Sequence, residues 1–177
     1  QKSVPLYEPF LGNIEKKYVN NCLDTNWISS KGKYVKLFEN EFKNFIKTKY
    51  AISICNGTAA LHVALLSLGI KSKDEVITPT FTYIATANSI NYVGASVKFV
   101  DSKISSWQID EDKIIKSINS KTKAILIPHI YGQTCELAKI KKICKKNKLF
   151  LIEDCAEAFG SYYKNKHVGT FGDVSTF

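Results

Sequence analysis

The segment Leu149-Phe150-Leu151-Ile152-Glu153-Asp154-Cys155-Ala156 decides the fold, because an apolar run ends there in two adjacent carboxylates. Four consecutive apolar residues predict a strand that is buried on both faces, as in a parallel sheet. Open α/β sheets bind ligands in the crevice outside the carboxyl ends of their strands. A carboxylate at Asp154 could therefore pair with a protonated ring nitrogen of a ligand, or it could simply cap the following turn.

The rest of the chain alternates between the strand and helix patterns. The predicted strands are 50–54, 75–78, 97–100, 124–128 and 149–153, and the predicted helices are 14–22, 35–46, 59–68, 83–92, 111–118 and 136–146. Short strands that alternate with helices are typical of βαβ units. We therefore predict one α/β domain with a parallel sheet, followed by a hairpin around 164–166.

The composition favours a cytoplasmic globular protein without a metal. No apolar run reaches the roughly 18 residues that a membrane-spanning helix needs, and the start at Gln1 lacks the apolar core of a signal peptide. The five cysteines are an odd number and include no CxxC pair, so we expect reduced thiols and no zinc site. No membrane partner is predicted.

The net charge of +9 raises the question of a nucleic-acid partner. Many of the lysines lie on one predicted helix, 136–146, whose apolar positions would face the core. A solvated helix face explains such a run, and no nucleic-acid partner is predicted. The alternative is an acidic ligand that carries phosphates.

Three other motifs lie at predicted strand ends. The turn Asn56-Gly57-Thr58 opens a helix, and it could bind a phosphate through free N–H groups or serve as an ordinary N-cap. Tyr83 could stack on a flat ring or belong to the core, and His129 is equally ambiguous. The GxGxxG fingerprint and the P-loop motif are both absent.

Taken together, these motifs resemble a known family. The segments that carry the resemblance are 56–61, 74–79, 81–85, 129–133, 153–158 and 168–173. The chain resembles the sugar aminotransferases of the DegT/StrS type. These are fold-type-I pyridoxal phosphate (PLP) enzymes that act on nucleotide-linked keto sugars. The resemblance implies part of a three-layer PLP-transferase large domain with a mostly parallel central sheet, truncated at its C-terminal side.

The resemblance also implies a domain organisation. Residues 12–47 would form N-terminal helices and residues 50–177 the α/β core of the large domain. The remainder of the large domain and a small C-terminal domain would lie outside the chain. The family's Schiff-base lysine would follow shortly after Phe177, and no lysine present takes its place, so we expect the chain alone to be inactive.

Cofactor-binding roles follow from the resemblance residue by residue. Asn56, Gly57 and Thr58 would hold the cofactor phosphate. Tyr83 would stack on the pyridine ring, and Asp154, as the catalytic residue within the chain, would keep the ring nitrogen protonated. Glu157 would lie near the cofactor's phenolic oxygen. It must then be protonated or otherwise paired, because two anions in contact are costly.

The implied substrate residues are Trp27, Ser29, Ser30 and His129. The implied reaction transfers an amino group from glutamate to the 4-keto carbon of a nucleotide-linked 6-deoxyhexose, with pyridoxamine phosphate as the amino-carrying cofactor form. Segments 27–32 and 153–160 favour the branch that converts GDP-4-keto-6-deoxymannose to GDP-perosamine for O-antigen-type glycans. A homodimer is expected. The alternatives are a PLP-dependent dehydratase with histidine in place of the lysine, or a non-catalytic fragment.

Overall fold

The computed structural model describes residues 3–5 and 8–177, which divide into two compact units. One unit contains the described residues up to Phe45 together with Lys49–Ser53, and the other contains Ile46–Thr48 and Ile54–Phe177. No helix in the described part of the chain has both the length and the apolar character needed to cross a membrane.

The first unit contains helix α1 (Asn13–Asp24) and nearly all of α2 (Lys33–Ile46). Both helices occur where the sequence predicted them. The Gly12 N–H donates to the Glu15 carboxylate at 2.7 Å and so closes the start of α1. Helix α1 has no buried residue, and its apolar side chains Ile14, Val19 and Leu23 are exposed.

The predicted strand 50–54 is wrong. This stretch has no regular secondary structure, and the side chains of Tyr50 and Ile52 are exposed. Both the N–H and the hydroxyl of Ser53 donate to the Glu39 carboxylate, each at 2.9 Å. An extended segment becomes a strand only when a neighbouring strand supplies ladder hydrogen bonds, and the structure pairs none of the described strands with this stretch.

The second unit is built on a five-stranded sheet of order β2-β1-β3-β4-β7 in which every neighbouring pair is parallel. Its elements in chain order are α3 (Gly57–Ser67), β1 (Glu75–Pro79), α4 (Ile84–Tyr92), β2 (Ser96–Val100), α5 (Glu111–Ser117), β3 (Thr122–Pro128), α6 (Leu137–Asn147), β4 (Phe150–Asp154), β5 (Tyr162–Tyr163), β6 (Lys166–His167) and β7 (Val174–Thr176). Strands β5 and β6 form the expected hairpin. A single 3-10 turn, Ile130–Gly132, follows β3.

Two apolar clusters cover the two faces of this sheet. Ile125 and Leu151 belong to the cluster that contains Leu137 of α6, whereas Leu126 and Ile152 belong to the cluster that contains Leu61 of α3. Successive strand residues point to opposite faces, so β1, β3 and β4 each contribute to both clusters. This explains the uninterrupted apolar runs, and it confirms the predicted layering of helices on both faces of a parallel sheet.

The parallel arrangement brings several polar residues to one edge. The carboxyl ends of β1, β3, β4 and β7 all lie at the same edge of the sheet. Asp154 ends β4, and His129 follows the last residue of β3. The Asp154 carbonyl accepts a hydrogen bond from the His129 N–H at 3.0 Å.

Candidate cofactor site

A cavity of about 290 Å³ lies where β3 and β4 end and α3 begins. Six of the residues predicted to act on a cofactor or a substrate line it: Gly57, Thr58, Tyr83, His129, Asp154 and Glu157. These residues come from four separate segments of the sequence. The fold therefore brings six predicted site residues, which are distant in sequence, into one cavity.

Asp154 is the buried carboxylate of this cavity. Its Oδ1 accepts a hydrogen bond from the Ala156 N–H at 3.2 Å, and its Oδ2 accepts one from the Thr86 hydroxyl at 3.1 Å. Thr86 is itself fully buried in α4 and receives a hydrogen bond from the Thr82 hydroxyl at 2.8 Å. A carboxylate can accept about four hydrogen bonds, so Asp154 keeps acceptor capacity for a further donor.

The charge of Asp154 has no cationic partner among the described residues. Burial raises the pKa of its carboxyl, and the hydrogen bonds from Ala156 and Thr86 offset this only partly. Glu157 raises the pKa further. A protonated ring nitrogen placed in the cavity would supply the missing positive charge and favour the ionised carboxylate.

The start of α3 supplies the second feature of the cavity. Asn56 is the N-cap residue, and its Oδ1 accepts from the Ala59 N–H at 2.8 Å. The N–H groups of Gly57 and Thr58 have no protein acceptor among the described residues. A Cβ placed on Gly57 would meet no atom within 4 Å. Free N–H groups at a helix start, with open space beside them, suit an anion such as a phosphate.

Tyr83 and Glu157 complete the accessible side of the cavity. Tyr83 is the residue before α4 and its side chain is 69 % exposed, so the tyrosine is not part of the core. Glu157 is exposed, and its Oε2 accepts from the Tyr131 N–H at 2.6 Å. The glutamate thus has a hydrogen-bond partner within the protein.

His129 is buried, and both of its ring nitrogens have protein partners. Nδ1 accepts from the Cys135 N–H at 3.2 Å, and Nε2 lies 3.1 Å from Glu153 Oε2. A hydrogen bond from this ring to a substrate would have to replace one of these two. His129 therefore lines the cavity without a free polar atom on its ring.

Sequence reasoning missed Thr86 and the role of Glu153. Thr86 follows Tyr83 by three residues, so the helical spacing that was used for α4 could have indicated a hydroxyl on its buried face. Glu153 was read only as the neighbour of Asp154. Strand alternation places these two carboxylates on opposite faces of the sheet, and that signal was present in the sequence.

Glu153 is fully buried and accepts four hydrogen bonds. The donors are His129 Nε2, at 3.1 Å, and the N–H groups of Gly169, Phe171 and Gly172, at 2.9, 2.8 and 2.7 Å. Burial raises the pKa of Glu153, but these hydrogen bonds outweigh burial and hold the pKa below its ordinary value. Glu153 is therefore an ionised internal group.

A metal ion could in principle use the cluster of His129, Glu153 and Cys155, whose candidate ligand atoms all lie within 4.8 Å of one another. Such an ion would have to displace the hydrogen bonds already made by His129 and Glu153. Burial, together with the charges of Glu153 and Asp154, raises the pKa of the Cys155 thiol far above its ordinary value. The cluster is accounted for by hydrogen bonding within the protein.

The other predicted substrate residues lie in the first unit. Trp27, Ser29 and Ser30 are in the segment between α1 and α2, and all three are exposed. The Ser29 carbonyl accepts a hydrogen bond from the Gly32 N–H at 3.1 Å, which closes a turn before α2. Their role as substrate residues stays a prediction.

Comparison with known proteins agrees with this geometry. Residues 9–177 match the family model of the DegT/DnrJ/EryC1/StrS aminotransferase family. The chain is 54% identical over 176 residues to GDP-perosamine synthase of Escherichia coli O157:H7, covering 99% of this chain and 48% of that protein. The chain thus spans about half the length of this relative.

Solved structures give the same result for the fold. The aminotransferase from Psychrobacter cryohalolentis superposes with a TM-score of 0.92 at 36% identity, over 94% of this chain and 42% of that one. The Escherichia coli GDP-4-keto-6-deoxy-D-mannose-3-dehydratase with bound hydrated PLP gives a TM-score of 0.90 at 30% identity, over 96% and 45%. Because the family model covers nearly the whole sequence, this chain belongs to the DegT/DnrJ/EryC1/StrS aminotransferase family.

Proposed function

We propose that this chain forms the PLP-binding part of a nucleotide-sugar aminotransferase. The observation that carries the proposal is the buried Asp154 carboxylate, which forms no salt bridge with any described residue and lines a cavity beside the open start of α3. The similarity to GDP-perosamine synthase supports the same function.

The residues of the cavity fit PLP in charge and in shape. The free N–H groups of Gly57 and Thr58, in the turn shaped by Asn56, would hold its phosphate. Tyr83 would pack on the ring, and Asp154 would accept a hydrogen bond from the protonated ring nitrogen. When bound, PLP would supply a protonated ring that accepts the electron pair of a carbon that loses a proton.

Each residue of the chain then has a defined task. Thr86 and Ala156 orient the Asp154 carboxylate, and Asp154 holds a proton on the ring nitrogen. The Tyr131 N–H holds Glu157, which would lie near the phenolic oxygen of the cofactor. His129 and Pro128 contribute to the wall of the cavity that would hold the ring.

The proposed reaction moves an amino group from glutamate to the 4-keto carbon of GDP-4-keto-6-deoxymannose and forms GDP-perosamine. This sugar nucleotide is favoured because the relative that is 54% identical is named for that product. Trp27, Ser29, Ser30 and His129 are the proposed substrate residues. We place the reaction in the cytoplasm, in the synthesis of amino sugars for O-antigen-type glycans.

The whole protein is proposed to be a homodimer. Residues 12–47 would be N-terminal helices of the large domain and residues 50–177 part of its α/β core. The exposed apolar side chains of α1 support a covered surface in the assembly. Light scattering on the purified protein, coupled to size-exclusion chromatography, would give twice the monomer mass; a monomer at all concentrations would contradict this part of the proposal.

The function is tested on the whole protein, because the chain alone is expected to be inactive, with ¹⁵N-labelled glutamate, PLP and GDP-4-keto-6-deoxymannose. We expect a product that carries the ¹⁵N label and has the mass of GDP-perosamine. The alternative, dehydration, is favoured only by the similarity to the 3-dehydratase structure. In that case the product would carry no label and would have lost the oxygen at carbon 3. PLP binding without any product would indicate a non-catalytic chain.

A matched pair of aspartate variants links this assay to the site. Asp154→Asn removes the charge that holds the ring nitrogen, and we expect turnover to fall by about 100-fold or more, as when an electrostatic group is removed from an active site. Asp112→Asn is the control, because Asp112 is an exposed residue of α5 that pairs with Lys139. Unchanged turnover in Asp154→Asn would contradict the proposed role of Asp154.

A further inference from the structure

We propose that Glu153 is a positioning residue, an internal anion that joins the ends of β3 and β4 to the turn before β7 and thereby places Asp154 in the cavity wall. The inference rests on the proposed function for what Asp154 does. The hydrogen bonds on which the inference depends are made by the Glu153 carboxylate and not by the side chain of Asp154.

The four donors to Glu153 come from two parts of the chain that are far apart in sequence. His129 follows β3, 24 residues before Glu153. Gly169, Phe171 and Gly172 belong to the turn that leads into β7 and lie 16 to 19 residues after it. One carboxylate thus connects three segments at the edge of the sheet where the cavity lies.

The geometry requires the carboxylate to be ionised and His129 to be neutral. All four groups that face Glu153 are donors, so a proton on either oxygen would oppose one of them. The Cys135 N–H points at Nδ1 of His129, which leaves the ring proton on Nε2 for Glu153. Glu153 therefore also selects the tautomer of a histidine that lines the cavity.

The turn held by Glu153 places β7 against the end of β4. A Cβ on Gly172 would lie only 2.6 Å from the Leu151 carbonyl oxygen, so the turn is tightly packed on β4. The Asp173 N–H donates to that carbonyl at 2.8 Å. Further along, the Cys155 N–H donates to the Thr176 carbonyl at 2.7 Å, directly after Asp154. The backbone on both sides of Asp154 is thus fixed by contacts that begin at Glu153.

The test compares Glu153→Gln with Glu136→Gln, a matched control at an exposed residue whose carboxylate accepts one hydrogen bond from the described residues, from the Tyr163 hydroxyl. A glutamine at position 153 turns an NH₂ group toward N–H donors. We expect the affinity for PLP to fall by about tenfold or more, as for loss of charge-assisted hydrogen bonds, and the ¹⁵N signals of the His129 ring to change. Glu136→Gln should leave both unchanged.

Two further measurements keep the proposal testable if Glu153→Gln does not fold. In the wild type, the ¹⁵N signals of His129 should show a neutral ring protonated at Nε2; a ring protonated at Nδ1 would overturn the proposal. Glu153→Asp keeps the charge and should preserve this tautomer, with a smaller loss of affinity than Glu153→Gln.

The outcomes separate this proposal from the proposed function. Glu153→Gln with wild-type PLP affinity and unchanged His129 signals would overturn the positioning role while leaving the cofactor assignment intact. A wild-type protein that binds no PLP would overturn the cofactor assignment. The His129 signals would still decide whether Glu153 organises this edge of the sheet.

Discussion

Two adjacent carboxylates, Glu153 and Asp154, have pKa values that move in opposite directions. Burial acts on both, but Glu153 accepts four hydrogen bonds, whereas Asp154 accepts two and forms no salt bridge in the described part of the chain. The difference in partners thus makes ionisation in the cofactor-free protein easier for Glu153 than for Asp154. The two residues also have different roles, because all acceptor positions of Glu153 are used within the protein, whereas Asp154 can accept a further hydrogen bond from a ligand.

Asp154→Asn should stabilise the cofactor-free protein at neutral pH. The pKa of Asp154 in the folded protein is raised above its ordinary value of 3.8. Ionisation therefore favours the unfolded chain as the pH rises above that value. The amide removes this penalty, so the variant should have the higher melting temperature at neutral pH. The difference should vanish below pH 3.8, where both states are protonated. Equal melting temperatures at neutral pH would contradict an uncompensated Asp154.

Thr86→Val tests the hydroxyl chain that leads to Asp154. The substitution removes the donor to Oδ2 and leaves the half-buried Thr82 hydroxyl with only its 3.4 Å contact to the Tyr83 carbonyl. Urea denaturation should show a loss of about 1–3 kcal/mol in the free energy of unfolding, the cost of unsatisfied buried groups. The pKa of Asp154, followed by ¹³C NMR, should rise further. Thr82→Val leaves the Thr86–Asp154 bond in place and should leave that pKa nearly unchanged.

At the scale of elements, two glycines with opposite surroundings give a matched pair of variants. Gly57 begins α3 with open space beside it, whereas Gly172 lies against the backbone of β4. Gly57→Ala should preserve or raise stability by up to about 1 kcal/mol, because alanine is the better helix former. It should nevertheless weaken PLP binding, because its methyl group enters the cavity.

Gly172→Ala should behave in the opposite way. Its Cβ would meet the Leu151 carbonyl oxygen at 2.6 Å, so the turn before β7 must shift. We expect thermal or urea denaturation to show a loss of about 1–3 kcal/mol, the usual cost of overpacking. Equal stability of the two alanine variants would contradict the close packing of this turn on β4.

Sequence patterns predicted elements well wherever local periodicity and burial agree. The helices α3, α4 and α6 and the strands β1, β3 and β4 all begin within two residues of their predicted starts. The segment 50–54 failed because its pattern of β-branched and aromatic residues specifies no pairing partner. A strand forms only when two segments pair, so the apolar pattern of one segment is insufficient to predict it.

The candidate site was predictable in part for the same reason. Gly57, Tyr83 and Asp154 each carry a local signal, a turn or a strand end, and the cavity brings them together. The contact between His129 and Glu153 joins residues 24 positions apart. Only the register of β3 against β4 creates it, and register is invisible in either strand alone.

At the scale of the whole molecule, the two units differ in how much of their apolar surface they bury. Helix α1 has no buried residue, whereas β3 is almost entirely buried and pairs with strands on both sides. In the chain without a partner copy, hydrogen exchange should therefore be much faster for the amides of α1 than for those of β3. Equal protection would show that a second surface covers α1 in solution.

The alternation along β4 has a consequence for the assembly of the sheet. A slip of this strand by one residue would exchange the two carboxylates between the faces of the sheet. Asp154 would then meet the donors of the glycine turn, and Glu153 would face the apolar helices α3 and α4. The slip would leave Glu153 in the interior without its four donors. The two carboxylates thus favour the native register of β4. A design that copies Asp154 into another sheet must therefore copy Glu153 as well.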